Sequence, residues 1–398
     1  MRRLLPLLVL TAAARAGAGL ETRVQEAVRR GADFLAARFD ERTGWGGALG
    51  TGVYGGAGVA YPYAAGPTAL CCFALLKAGV PTDDPTLRKA FRFLKLEHRT
   101  PGVSYEMSVQ LLAVAELAGA KRSPDFRKGA RREARTKDRH KPPTESPLDK
   151  HLWAWMHDLA TRLVAFQAVN GGWRYYPNDF HSGGTADVSS TQFALLALST
   201  ASRCGHAVPD EVFRKARRFL LASQAPQGPE CARAIHVPGS PPEALDRARG
   251  FPYIAGSDVP PYRTITGGMT AAGLASLILV REELEHLGPD PDLERAILDA
   301  FAWIGRYFTI EVNPGAAPFL NGSYQFVWLY ALERSGDLMG REVIGERSWF
   351  VEGAEHLLAR QRDDGAIADP TCMNPNDVLG TAFALLFLTR ASRPVSGG

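Results

Sequence analysis

Cysteine is scarce in this chain of 398 residues, with five in all and no C-x-x-C pair. That excludes a disulfide scaffold and removes the usual zinc and redox spacings. Long apolar runs are missing too: beyond the first residues each is interrupted by charge or Gly, so no later segment reads as transmembrane. The sequence has no H-E-x-x-H, no G-x-S-x-G and no Gly-rich phosphate loop with its Lys. Gly55-Gly56-Ala57-Gly58 lacks the strand-helix setting of a dinucleotide fingerprint. A strong excess of one charge is also absent, since 46 Lys and Arg against 42 Asp and Glu leave +4, a balance that gives nucleic-acid binding no support. With 45% hydrophobic and 22% charged residues, the chain is neither disordered nor fibrous and has ample material for a core.

What is present begins with an address. Arg2 and Arg3 precede the apolar run Leu4 to Ala14, and Ala14-Arg15-Ala16 or Ala16-Gly17-Ala18 offers a small-residue cleavage site. Such a run is shorter than the roughly twenty residues that span a bilayer. Residues 1–18 therefore read as a secretory signal peptide, and the protein as exported, periplasmic or extracellular, after cleavage. Cys71 and Cys72 sit in an apolar helical segment and read as core, whereas one disulfide among Cys204, Cys231 and Cys372 is allowed but not required.

Internal repetition is the informative signal. Six segments start with a polar residue or Gly and continue with small and apolar residues at helical spacing. They are Gly66 to Gly79, Tyr105 to Gly119, Asp187 to Cys204, Thr266 to Val280, Asn321 to Gly336 and Asp377 to Ala391. They are apolar nearly all round, as helices buried on every side should be. Six other segments, roughly 22–39, 85–98, 151–168, 210–224, 290–309 and 344–361, carry charge on one face. The two kinds alternate strictly. The alternation predicts an all-α fold over 21–393, an (α/α)6 toroid of six helical hairpins, with an inner ring of apolar helices covered by an outer ring of amphipathic ones.

The loops 40–65, 169–186, 225–263, 310–320 and 362–376 all lead from an outer to an inner helix and so share one face. A site is expected there, at the inner-helix N-termini. Residues 121–150 break the pattern with a run of Lys, Arg and Pro; they read as a basic linker or insertion, with contact to an anionic surface as the functional alternative.

At the turns the repeat becomes specific. Arg162-Leu-Val-Ala-Phe-Gln167 through Gly171-Gly172-Trp173 resembles the QW repeat of squalene–hopene cyclases. Arg30 to Leu35 with Thr43-Gly44-Trp45-Gly46 is a second copy without the Gln. Glu352 to Gln361 with Asp364-Gly365 and Ile367 is a third, and Arg214 to Gln224 followed by Gly228 a fourth. The chain thus resembles an exported bacterial member of the prenyltransferase/squalene-oxidase repeat family, whose triterpene cyclases and protein prenyltransferase β subunits share the α/α toroid. The resemblance implies that Gln and Trp tie an outer helix end to the next turn.

It also supplies two catalytic templates, and both are broken here. The cyclase D-x-D-D acid motif with its Thr falls on Asp187-Val188-Ser189-Ser190-Thr191 and Asp377-Val378-Leu379-Gly380-Thr381, where the later acids are gone. A hydroxyl is far too weak an acid to protonate an alkene. The prenyltransferase zinc ligands fall on Asn321, Ser323 and near Gly380, none of which is a good ligand. The thioester-domain sequence G-C-G-E-Q of complement-like relatives is absent.

No metal or cofactor is expected. The acids and base nearest the expected site face are Glu106, Asp187, Asp377 and His181, the last beside Asp179; Asp187 and Asp377 also read as helix N-caps. For ligand binding the candidates are Tyr105, Trp173, Tyr175, Tyr262, Asn321 and Tyr324, with Tyr54, Tyr61, Tyr63 and Arg263 near the same mouth. The expected function is a toroid that binds an isoprenoid or other apolar molecule. The alternatives are a non-catalytic scaffold or glycan- or protein-binding module, and a polysaccharide lyase on the same toroid.

Overall fold

Short polar side chains start half of the twelve long helices among the described residues. Asp84, Asp149, Asp187, Asp290 and Asn376 each turn an oxygen onto an amide of the helix that follows, as does Thr266. Pro85 and Pro291 occupy first-turn positions, where a missing N–H costs nothing. The computed structural model describes residues 5–46, 64–120, 149–176, 185–233, 245–315, 324–371 and 376–391, with the first helix's side chains described from residue 19.

The described residues are predominantly helical. Twelve helices of ten residues or more follow one another. They are α1 (Leu5–Ala37), α2 (Ala65–Lys77), α3 (Pro85–Glu97), α4 (Ser104–Ala120), α5 (Lys150–Ala165), α6 (Val188–Arg203), α7 (Asp210–Ser223), α8 (Gly267–Leu284), α9 (Pro291–Tyr307), α10 (Gln325–Leu338), α11 (Trp349–Leu358) and α12 (Asp377–Leu388). Each matches an expected segment. Three begin elsewhere than expected: α1 continues toward the N-terminus to Leu5, α10 starts at Gln325 rather than at Asn321, and α11 starts at Trp349 because Ile344 and Arg347 close a bridged turn before it. Among the described residues no helix is long and apolar enough to cross a membrane.

Even-numbered helices are buried along nearly their whole length, whereas the odd-numbered ones bury a single stripe such as Leu87, Ala90, Phe91 and Leu94 of α3. α2 packs on α4, α4 on α6, α6 on α8, α8 on α10, α10 on α12, and α12 on α2 again. Each odd helix lies against one or two even ones: α3 on α2, α5 on α4 and α6, α7 on α6 and α8, α9 on α8, α11 on α10 and α12. α1 lies on α2 and on both helices of the last hairpin, α11 and α12.

One glutamine device links the odd helices to each other. At the end of α5, Gln167 Nε2 donates to the Gly171 carbonyl of its own turn and, at 2.8 Å, to Val212 in α7. Gln224, ending α7, does the same to Arg249 and to Ala296 in α9. Gln361, after α11, donates to Gly365 and to Ala27 in α1. Each bond to a buried carbonyl contributes roughly 1 kcal/mol net. In the adjoining turn an aromatic or aliphatic residue pegs the even helix: the amides of Trp45, Trp173, Phe251 and Ile367 donate to Thr68, Thr191, Thr270 and Thr381. The indoles of Trp45 and Trp173 donate to Leu35 and Leu163 at the ends of α1 and α5.

The fourth copy of this turn corrects the sequence reading. Its glycine is Gly250, not Gly228, and Phe251 takes the Trp place, because residues after Gln224 make an excursion before the turn closes. The excursion contains the only sheet among the described residues, an antiparallel ribbon of β1 (Glu230–Ala232) and β2 (Leu245–Arg247). Buried Asp246 pairs with Arg233 and Arg295, and Asp299 of α9 pairs with Arg249, fixing the ribbon to the helix. Cys231 points its thiol at the Asp246 carbonyl, and Cys71 and Cys72 are buried free thiols in α2. Cys372 lies outside the described residues, as do residues 121–148 of the basic stretch and Tyr54, Tyr61, Tyr63, Asp179, His181, Asn321 and Ser323.

Candidate functional site

The turn Trp173-Arg174-Tyr175 brings three parts of the chain together. Trp173 and Asp187 form a bridge, with the Asp187 amide donating to the Trp173 carbonyl at 3.0 Å. The Ser104 amide, starting α4, donates to the Tyr175 carbonyl, and the Val188 amide, starting α6, donates to the Tyr253 carbonyl. Backbone pairing thus places Tyr175 and Tyr253 beside the N-termini of α4 and α6.

Their side chains form one aromatic group. Tyr105 of α4 stacks on Tyr175 with centroids 5.8 Å apart and tilts against Phe193 of α6 at 4.9 Å. The Tyr175 and Tyr253 hydroxyls are 3.1 Å apart, and Tyr253 meets Tyr262 at 5.5 Å. Arg174 lies under both Tyr175 and Tyr253, donates to the Tyr253 hydroxyl, and pairs with Asp187 at 2.7 Å. Tyr175 and Tyr262 are 39% and 37% exposed, so the group has an open rim. Burial holds the Tyr105 and Tyr253 phenols well above their usual pKa, and both stay neutral hydrogen-bonding groups at ordinary pH.

Deeper, the cluster meets a cation. Arg334 of α10 is 2% exposed, donates from Nη2 to the Gln192 side-chain oxygen on α6, and places its guanidinium 4.2 Å from the Tyr330 ring and 5.3 Å from the Phe193 ring. Burial pushes the Tyr330 phenol up to about 12, with Arg334 opposing it. Tyr105 also lies within the electrostatic reach of Arg334, and its hydroxyl bonds Ser189.

The described carboxylates of this face are engaged in building it. Asp187 is fully buried, caps α6 through the Ser190 amide and hydroxyl, and holds Arg174. Its pKa is raised by burial, against the pull of Ser190 and Arg174. Glu106 reaches from α4 to the Gly66 amide at 3.0 Å and so caps α2, whose own preceding residue, Ala64, has no capping side chain. Burial raises its pKa while the Gly66 and Ala65 amides lower it. Asp369 caps α10 through the Phe326 amide, and Asn313 caps α8 through Gly268. Asp377 is not the N-cap of α12. Asn376 takes that place, and Asp377, one residue on, pairs with Arg362 at 2.5 Å.

Of the expected ligand-binding residues, Tyr105, Tyr175 and Tyr262 come together. Trp173 does not join them: it is fully buried, with amide and indole both used inside the turn. Tyr324 stands just before α10 in a left-handed conformation, φ 48°, and is partly exposed. Sequence reasoning missed Tyr253, Gln192 and Arg334. Arg334 had a visible signal, since Glu333-Arg334 interrupts an otherwise apolar even helix. At Gly380, near which the resemblance would put a zinc-binding His, a Cβ would lie 2.8 Å from the Asp369 nitrogen and the Ile367 oxygen, leaving no room for a side chain. No three His, Cys, Asp or Glu side chains among the described residues are grouped to hold a metal ion. Compared with known proteins, the chain matches no family model and no curated protein.

Proposed function

We propose that this chain is an exported (α/α)6 toroid of the prenyltransferase/squalene-oxidase repeat kind, which binds an apolar, isoprenoid-like ligand at the N-terminal ends of its even helices. The toroid is supported by the order of helix neighbours, in which α12 packs on α2, and by glutamine links that run from one odd helix to another. The observation that carries the function is a contrast at one face: its carboxylates serve as caps and ion pairs, while Tyr105, Tyr175, Tyr253 and Tyr262 leave a rim open. Such a surface binds through area and phenolic hydrogen bonds. Among the described residues its carboxylates are spent on caps and ion pairs, which leaves none set up as the strong acid that alkene protonation demands.

Lipid extraction and mass spectrometry of the protein purified from its host test the binding. An apolar compound should copurify, and a Tyr105→Ala, Tyr253→Ala variant should retain about tenfold less. Glu106→Gln keeps an acceptor for the Gly66 amide and should leave binding unchanged. Incubation with squalene, or with a prenyl diphosphate, zinc and a cysteine peptide, should yield no product. Squalene turnover abolished by Glu106→Gln would overturn the non-cyclase reading. The exposed pair Tyr175 and Tyr176 favours a second reading, a glycan platform. Retention on a glycan array with no lipid bound would select it.

A further inference from the structure

Arg334 presents a chemical imbalance that the tyrosine rim leaves unresolved. Its guanidinium is buried, and among the described residues Nε and Nη1 have no hydrogen-bond partner. The amide nitrogen of Gln192, whose oxygen accepts from Arg334, is likewise buried without a partner. No carboxylate of the described residues pairs with this guanidinium. Glu333, next to it on α10, is fully buried, has an interaction of its own and acts electrostatically on the same Tyr330 that the guanidinium faces; Arg174 is already paired with Asp187. A buried guanidinium with no paired carboxylate and three orphaned donors are expensive to hold in a protein interior. All three unmet groups are donors, so what they lack is an acceptor, and beside a guanidinium with no paired carboxylate an anionic acceptor is favoured over a neutral one.

We infer that Arg334 and Gln192 form the head-group pocket of the proposed ligand site, and that the ligand is an apolar molecule ending in a single negative charge, a carboxylate. The inference rests on the apolar-ligand reading above and gives that ligand a polar end. One unpaired guanidinium balances one charge; a phosphate monoester or diphosphate would bring a second or third into the same buried space. Depth fits this assignment. Arg334 lies about 14 Å along α10 from Gln325, and helical side chains lean back toward the N-terminus. Its head group therefore turns toward the face that carries the tyrosines and meets Gln192 in the second turn of α6. Phe193 and Tyr330 wall the guanidinium, and Tyr105 touches both Phe193 and the outer Tyr175, so aromatic surface runs from rim to cation.

The test compares dodecanoate, dodecanol and dodecyl phosphate binding to the full chain by calorimetry and native mass spectrometry at about pH 8, where the phosphate carries two charges. Dodecanoate should bind one to one and at least about tenfold more tightly than dodecanol or dodecyl phosphate, the scale of one charge-assisted hydrogen bond. Arg334→Met should erase the preference over dodecanol. Without ligand it should melt at the same or a higher temperature than the wild type, because it removes a buried charge that no carboxylate pairs. A purely structural arginine would move the melting point the other way. Gln192→Leu, as a second variant, should weaken dodecanoate and leave dodecanol unchanged. Equal affinity for acid and alcohol overturns the head-group pocket while the apolar site survives. Tighter binding of the phosphate overturns the single-charge assignment. No binding of any of the three overturns both the pocket and the apolar-ligand reading.

Discussion

His206 shows what burial does to a single titratable side chain. It is buried in the turn after α6, stacked on Trp153 at 4.5 Å, with His157 at 5.6 Å, and neither ring nitrogen has a partner among the described residues. Burial, with a smaller push from His157, lowers its pKa from 6.5 to about 4. The unfolded chain then takes up the proton first as pH falls. The stability held by the neutral ring is complete above about pH 6.5 and is lost as pH drops toward 4. After allowance for solvent screening the loss is on the order of 2 kcal/mol. His206→Phe keeps the stack and removes the titration. Urea unfolding at pH 7 and at pH 4.5 should therefore show a much smaller difference for the variant than for the wild type. Equal differences would mean that acid weakens the protein elsewhere.

At the level of elements, the helices were legible because burial and charge alternate with helical spacing, and that spacing survives in the sequence without knowledge of neighbours. The turns were legible where Gln, Gly and Trp stand close together, as at Gln167 and Trp173. They were not legible at Gln224, whose turn closes on Arg249 and Gly250 beyond the ribbon, while Gly228 stood nearby at a plausible spacing. Asp377 was misjudged as a cap for a similar reason. Cap and first helical residue differ by one position, and only backbone geometry separates Asn376 from its neighbour. Arg334 acquires its meaning from Gln192, which is 142 residues away along the chain.

The glutamine links can be tested as a class. Gln167→Leu, Gln224→Leu and Gln361→Leu each remove two donations from one amide nitrogen and leave two carbonyls to find other partners. Each should lower the free energy of urea unfolding by roughly 1–3 kcal/mol. Losses below a few tenths for all three would show that water replaces the side chain without penalty.

For the whole molecule, the informative contacts are those of α1 with the last hairpin. Arg23 pairs with Glu355 at 2.6 Å, Arg30 donates to the Arg362 carbonyl, and Gln361 donates to Ala27. A chain truncated after Gly340 lacks α11 and α12, and so uncovers α1, α2 and α10 together. Circular dichroism should show it losing its single sharp urea transition. Retention of a sharp transition would mark the hairpins as an open stack with independent ends.

The seam at α1 also sets a timetable. Gln167 reaches a carbonyl 45 residues away, whereas Gln361 reaches back 334. The longer closure is nearly three doublings of loop length and costs roughly 2 kcal/mol more chain entropy, a modest sum at equilibrium. In a growing chain the delay is larger than the energy. At about 5–20 residues per second, the partner of Ala27 follows it out of the ribosome by roughly 20–70 s. For that interval the apolar stripe of α1 has no last hairpin to rest on, and a holdase can occupy it. During synthesis the contact between the N-terminal helix and the last hairpin is thus among the latest that the chain can make.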